Sequence, residues 1–210
     1  MIGILGGMGT QAGLDLCNKL SMLYRGKSDQ EYPKFILYNK TDTPERPKNL
    51  KKYFNVLNEL VKGCKLLQRN NCKFIVMPCN TAHYWYDDLK KKVRIPILSM
   101  PEEAYLYTKK NCKQDSKIGL LSTEATIKTK VYNKYFNNNF YLVNPSKSVQ
   151  KKNVNKAIKL VKQGKSHPLG VTISSKTPAF PPRTLSLTVF APNQSAGSNL
   201  KSALGYHMTY

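Results

Sequence analysis

Across the first 98 residues, short apolar runs alternate with stretches of helical period, and few folds accept that rhythm. The runs cover residues 1–5, 34–38, 74–77 and 95–98, with helical patterns over 11–25, 50–70 and 81–92 between them. Runs apolar at successive positions suit strands buried on both faces, and crossovers of a dozen or more residues suit helices. The sequence therefore predicts an α/β lobe, a parallel sheet flanked by helices. Leu57, Leu60, Val61, Cys64 and Leu67 mark the inward face of its longest helix.

The rhythm restarts after residue 98. Helices are expected over 102–111, 126–136 and 149–163, and strands over 117–121 and 140–143. The expected architecture is two similar α/β lobes, residues 1–98 and 99–165, with the functional cleft between them. In the last helix Val154, Ala157, Ile158 and Val161 form the apolar stripe. Near Gly164 the composition shifts to Ser, Thr, Pro, Leu and Gly, and Pro178, Pro181, Pro182 and Pro192 interrupt any long element. Residues 166–210 are thus expected to be a mostly irregular tail, with β-prone stretches only at 171–173 and 185–190, and the second lobe is expected to be incomplete.

The formal charge is +22 and is unevenly placed, since every Asp and Glu lies at or before Glu124. Such a balance can serve nucleic acid, but the basic residues are mostly lysines scattered along helices rather than gathered with arginines and aromatics. No nucleic-acid partner is expected. The five cysteines, Cys17, Cys64, Cys72, Cys79 and Cys112, are odd in number and form no CxxC pair, which suits a reduced, cytoplasmic protein. The amino-terminal run has no basic flank and is broken by Gly6, Gly7 and Gly9, so no secretory signal is read. No apolar run reaches membrane-spanning length, and no membrane association is expected.

The candidate chemistry follows the third strand, in Pro78-Cys79-Asn80-Thr81-Ala82-His83. Open α/β sheets bind ligands at the carboxyl ends of their strands, where this thiol falls. Asn80 and Thr81 add short polar groups suited to a small carboxylate. The hexapeptide alone also fits a buried cysteine followed by a helix cap.

Several segments together resemble the aspartate/glutamate racemase family, most closely its aspartate racemase branch. They are Ile2-Gly-Ile-Leu-Gly-Gly-Met-Gly, residues 39–46, Met77-Pro-Cys-Asn-Thr-Ala-His, Ile95-Pro-Ile-Leu-Ser-Met, Ile118-Gly-Leu-Leu-Ser-Thr-Glu-Ala-Thr and Gln150-Lys151, in family order up to about residue 164. The resemblance implies a cofactor-independent, PLP-independent amino-acid racemase acting on aspartate or glutamate, with no metal. Two cysteines would move the α-proton between opposite faces of the substrate, and Cys79 matches the first. Asn80, Thr81 and Thr126 match contacts to the α-carboxylate. Arg46 and Lys151 match the basic pair for the side-chain carboxylate, and Met8 and Gln11 match cleft-lining positions. A thiolate base needs a lowered pKa, and a helix starting near Thr81 is expected to help supply it. The resemblance also implies a homodimer.

One departure bears on activity. The family's second cysteine lies in a Gly-Cys-Thr-Glu segment, whereas no cysteine follows Cys112 in this chain. The rival reading is therefore a non-catalytic binder of dicarboxylic amino acids, or an inactive fragment of the same fold. Gly7-Met8-Gly9-Thr10-Gln11-Ala12 also fits the dinucleotide pattern GxGxxA, but the second strand ends in Asn39 where a ribose-binding acid is needed. Cys79 and His83 offer two metal ligands, fewer than metal sites recruit.

Overall fold

The computed structural model describes residues 1–163 except Arg25 and Pro47, together with the backbone of two later strands. The first lobe runs β1 (Ile2–Gly6), α1 (Thr10–Leu23), β2 (Phe35–Asn39), α2 (Tyr53–Arg69), β3 (Phe74–Val76), a 3-10 helix (Asn80–Trp85), α3 (Tyr86–Lys92) and β4 (Ile97–Leu98). Its strands are all parallel and ordered β2-β1-β3-β4. The chain moves to one side of β1 to make β2 and to the other side to make β3. A crevice opens where those crossovers diverge, beyond the carboxyl ends of β1 and β3.

Burial on both faces explains the unbroken apolar runs. Ile4 and Val76 face one core, with Leu16 and Leu20 of α1. Leu5 and Ile75, one position along, face the other core, with Val56, Leu57, Leu60, Cys64 and Leu67 of α2. Successive strand residues point to opposite faces, so each adjacent pair serves both layers.

The second lobe runs α4 (Met100–Asn111), β5 (Lys117–Leu121), α5 (Glu124–Thr129), α6 (Asn133–Phe136), β6 (Tyr141–Val143), α7 (Lys147–Val149), a π-helical segment (Gln150–Val154) and α8 (Asn155–Lys162). Ser99 caps α4 by accepting from the Glu102 amide, which moves its start ahead of the expected residue 102. Its sheet orders β6-β5-β7-β8, where β7 (Leu185–Thr188) is parallel to β5 and β8 (His207–Thr209) is antiparallel to β7. The expected irregular tail therefore contains at least these two strands, and β7 lies within the β-prone stretch 185–190. The remainder of that expectation falls on residues outside those described.

Two expected helices are divided. The one over 126–136 breaks into α5 and α6 at Lys130, a left-handed residue with φ 52°. The one over 81–92 begins as a 3-10 helix and becomes α-helical only at Tyr86. Phe136, Phe140 and Tyr132 of the second lobe share a core with Ile4 and Val76 of the first, so the lobes are joined by apolar packing. Among the described residues, no helix is long and apolar enough to cross a membrane.

Candidate active site

The cleft is assembled from loops that leave the carboxyl ends of four strands. The loop after β1 turns at Gly7, whose φ of +82° suits glycine, and a Cβ there would land on the Lys40 backbone. That turn carries Met8. The loop after β2 carries Arg46, the loop after β3 carries Cys79, and the loop after β5 carries Thr123. Met8, Gln11, Arg46, Cys79, Asn80 and Thr81 all line one cavity of about 60 Å³. Thr123 borders it from the second lobe, as do Ile158, Val161 and Lys162 from α8. Six of the eight residues singled out from the sequence are thus brought together.

The other two are placed differently. Lys151 is exposed on the π-helical segment and does not line the cavity. Thr126 is 1% exposed and sits one layer behind the cleft wall. Its hydroxyl lies 2.9 Å from those of both Thr81 and Thr123, which are 3.0 Å from each other. The three hydroxyls form a triangle that ties the cysteine loop to the amino end of α5, where Thr123 also accepts from the Thr126 amide at 3.2 Å. Lys162 and Thr123 are the polar cleft residues that sequence reasoning missed. A signal for Lys162 existed in its neighbours, because Ile158 and Val161 read as a core stripe but face the cleft.

Arg46 is buried yet has no ion-pair partner among the described residues. Its Nη1 donates to the Thr43 and Pro44 carbonyls at 3.3 and 3.2 Å, and its Nη2 donates to the Met8 carbonyl. Its Nε is buried with no hydrogen-bond partner among the described residues. An uncompensated buried guanidinium is costly unless an anion joins it. The neighbouring buried cation is already neutralised: Lys40 reaches Asp42 and Glu59, each at 2.7 Å. Burial alone lowers the Lys40 pKa, but those two carboxylates raise it further than burial lowers it.

Cys79 is half-buried and held from its backbone. Its carbonyl accepts from the Ala82 amide at 3.2 Å and from His83 Nδ1 at 2.9 Å. His83 Nε2 accepts from the Met100 amide at 3.1 Å, so the ring bridges the cysteine loop to the start of α4 as a neutral imidazole. Burial pushes the His83 pKa down to about 4, against the opposing pull of the carbonyls around it. Both ring nitrogens are occupied, and among the described residues no three His, Cys, Asp or Glu side chains gather as a metal site. The other four thiols are all raised by burial, Cys64 to about 12. None of the five cysteines is in a disulfide.

Comparison with known proteins decides the family. The profile of the Asp/Glu/hydantoin racemases matches residues 5–169. The chain belongs to that family. It is 31% identical over 149 residues to the broad specificity amino-acid racemase RacX of Bacillus subtilis, a match covering 66% of this chain and 61% of RacX. It is 33% identical over 106 residues to a glutamate racemase of Sulfurihydrogenibium, covering 48% of this chain and 39% of that enzyme. The chain thus spans less than two thirds of either relative's length. Among solved structures, the Picrophilus torridus aspartate racemase superimposes with a TM-score of 0.65 at 29% identity, covering 78% of this chain and 68% of that one.

Proposed function

We propose that this chain binds a dicarboxylic amino acid, aspartate or glutamate, in the inter-lobe cleft, and that Cys79 moves its α-proton in the manner of a PLP-independent racemase. The observation that carries this reading is that buried Arg46, with no ion-pair partner among the described residues, lines the same cavity as Cys79. A guanidinium offering Nε toward an anion suits the side-chain carboxylate, and Lys162 across the cleft suits the same group as a point charge. Asn80, Thr81 and Thr123 suit the α-carboxylate, with Thr126 behind them. The Cys79 thiolate takes the α-proton, forming an S–H bond while the C–H electron pair moves into the carboxylate as an enediolate. Returning the proton to the same face exchanges it with solvent, and inversion needs a donor on the opposite face. The chemistry asks no cofactor of the protein. It needs a reduced thiol, which fits the cytoplasm, and a homodimer belongs to the same reading.

A second reading rests on the sequence, where no cysteine follows Cys112. On that reading the chain binds a dicarboxylic amino acid without inverting it. Proton NMR of L- and D-aspartate in deuterated water, run beside chiral chromatography, separates the two. Deuterium gain with inversion supports the racemase. Deuterium gain with retention supports a one-thiol exchange. Calorimetric binding without deuterium gain supports the non-catalytic binder, and no binding of either amino acid overturns both.

A further inference from the structure

We infer that Tyr132, on the second lobe, is a positioning residue that fixes the Asn80 side chain so that its amide nitrogen faces the anion beside Cys79. Tyr132 occupies the break between α5 and α6, created by the left-handed Lys130. It is 0% exposed, and its ring packs on Phe136 with centroids 6.1 Å apart. From that pocket its hydroxyl donates to Asn80 Oδ1. Asn80 is 4% exposed and lines the cleft next to the thiol.

A side-chain amide has one accepting end and one donating end. Unrestrained, it turns either end toward a ligand, and the oxygen end repels a carboxylate. Committing Oδ1 to a buried phenol leaves Nδ2 as the end available to an anion. The phenol is suited to that task because it remains a donor. Burial first, and the neighbouring Cys79 second, push its pKa well above the ordinary phenol range. A tyrosine that only filled the core would need no hydroxyl. Here the hydroxyl reaches across the lobe boundary to a cleft residue, while the ring does the filling. The arrangement preorganises a donor before any ligand arrives, which is the form electrostatic stabilisation takes in enzymes.

This inference rests on the proposed anion-binding cleft, so its test uses a readout that needs no turnover. The probes are iodoacetate, a carboxylate, and iodoacetamide, its neutral isostere, with alkylation of Cys79 followed by peptide mass spectrometry. In the unmodified protein the rate ratio of iodoacetate to iodoacetamide reports the donors around the thiol. Tyr132→Phe keeps the ring and removes the hydroxyl. It should lower that ratio severalfold while circular dichroism stays unchanged. A merely structural role would shift both rates together and leave the ratio as it was. Asn80→Ala should lower the ratio as well, and Tyr132→Phe added to it should lower it no further. An unchanged ratio in Tyr132→Phe overturns the inference. So does an unchanged ratio in Asn80→Ala, which stands even if Tyr132→Phe fails to fold. If the ratios fall as expected but aspartate and glutamate do not bind, the positioning role survives and the proposed substrate fails.

Discussion

The two lobes bring opposite kinds of chemistry to one cleft. The first contributes a half-buried thiol and a buried charge, Cys79 and Arg46, on loops that leave a four-stranded parallel sheet covered on both faces. The second contributes neutral hydroxyls, from Thr123, Thr126 and Tyr132, which reach back onto the cysteine loop at Thr81 and Asn80. Its one cation at the cleft among the described residues, Lys162, is exposed. On the proposed function, the division teaches that the loop carrying the thiol of the first lobe is braced from the second lobe by neutral hydroxyls. Damage to the first lobe should abolish function outright, and damage to the second should degrade it in steps.

The largest expected effect lies in the first lobe. Cys79→Ser should cut α-proton exchange with aspartate by about a hundredfold to ten-thousandfold, the usual loss for a positioned acid or base. Proton NMR in deuterated water measures it, and exchange at the unmodified rate would remove Cys79 from the chemistry. In the same direction, iodoacetamide should label Cys79 ahead of the other four thiols, whose pKa values burial raises.

His83 joins the cysteine loop to α4 and is expected to make stability depend on pH. Its folded pKa of about 4 lies below the ordinary value of 6.5, so below pH 6.5 the unfolded chain takes a proton that the folded chain refuses. Stability should fall as pH drops from 6.5 to 4 and level off below, by a total of roughly 3 kcal/mol. Urea unfolding across that window tests it. The slope should shrink in His83→Gln, and an identical slope would assign the dependence to other groups.

Arg46→Ala should weaken aspartate binding by roughly tenfold to a hundredfold, the loss of a charge-assisted contact of about 1.5–3 kcal/mol. Alanine carries no side-chain carboxylate, so its binding should change far less. Calorimetry with both amino acids reads the difference, and equal losses would assign Arg46 a structural role only. The smallest effect belongs to the second lobe's cation. Lys162→Ala should weaken aspartate binding only severalfold, because an exposed charge is screened by solvent. Lys151→Ala should not weaken it at all. The reverse ranking would return the role to Lys151.

These outcomes bear on how much was legible beforehand. The loop after β3 was readable as a candidate site, because a buried strand pins its own carboxyl terminus and the loop that leaves it, yet Thr123, equally close to the end of β5, was not singled out. Cys79 follows β3 by only a few positions and was singled out from local pattern, whereas Met8, just after β1, came from the family resemblance; both line the same cavity. Lys151 and Lys162 were not separable that way. Both lie in a lysine-rich helical stretch, and the π-helical turn at Gln150–Val154 changes the phase between its two ends. Lys151 came from the family resemblance, and helical period alone could not have pointed to Lys162 in its place. The break at Lys130 was hidden for another reason: no glycine marks it, and the left-handed residue is a lysine held by its surroundings. Tyr132 owes its reach to that break, so its role was equally out of sight.

The turn at Gly7 has a consequence for inheritance of specificity. Its backbone lies against that of Lys40, and the Met8 carbonyl it presents is the acceptor for Arg46 Nη2. Two loops far apart in the chain are therefore packed together through this turn. Any side chain at position 7 would push the Lys40 segment away and drag the guanidinium with it. On the proposed function, variation at this residue, which has no side chain, should alter ligand preference together with stability, since a φ of +82° and the Lys40 backbone both oppose a Cβ there.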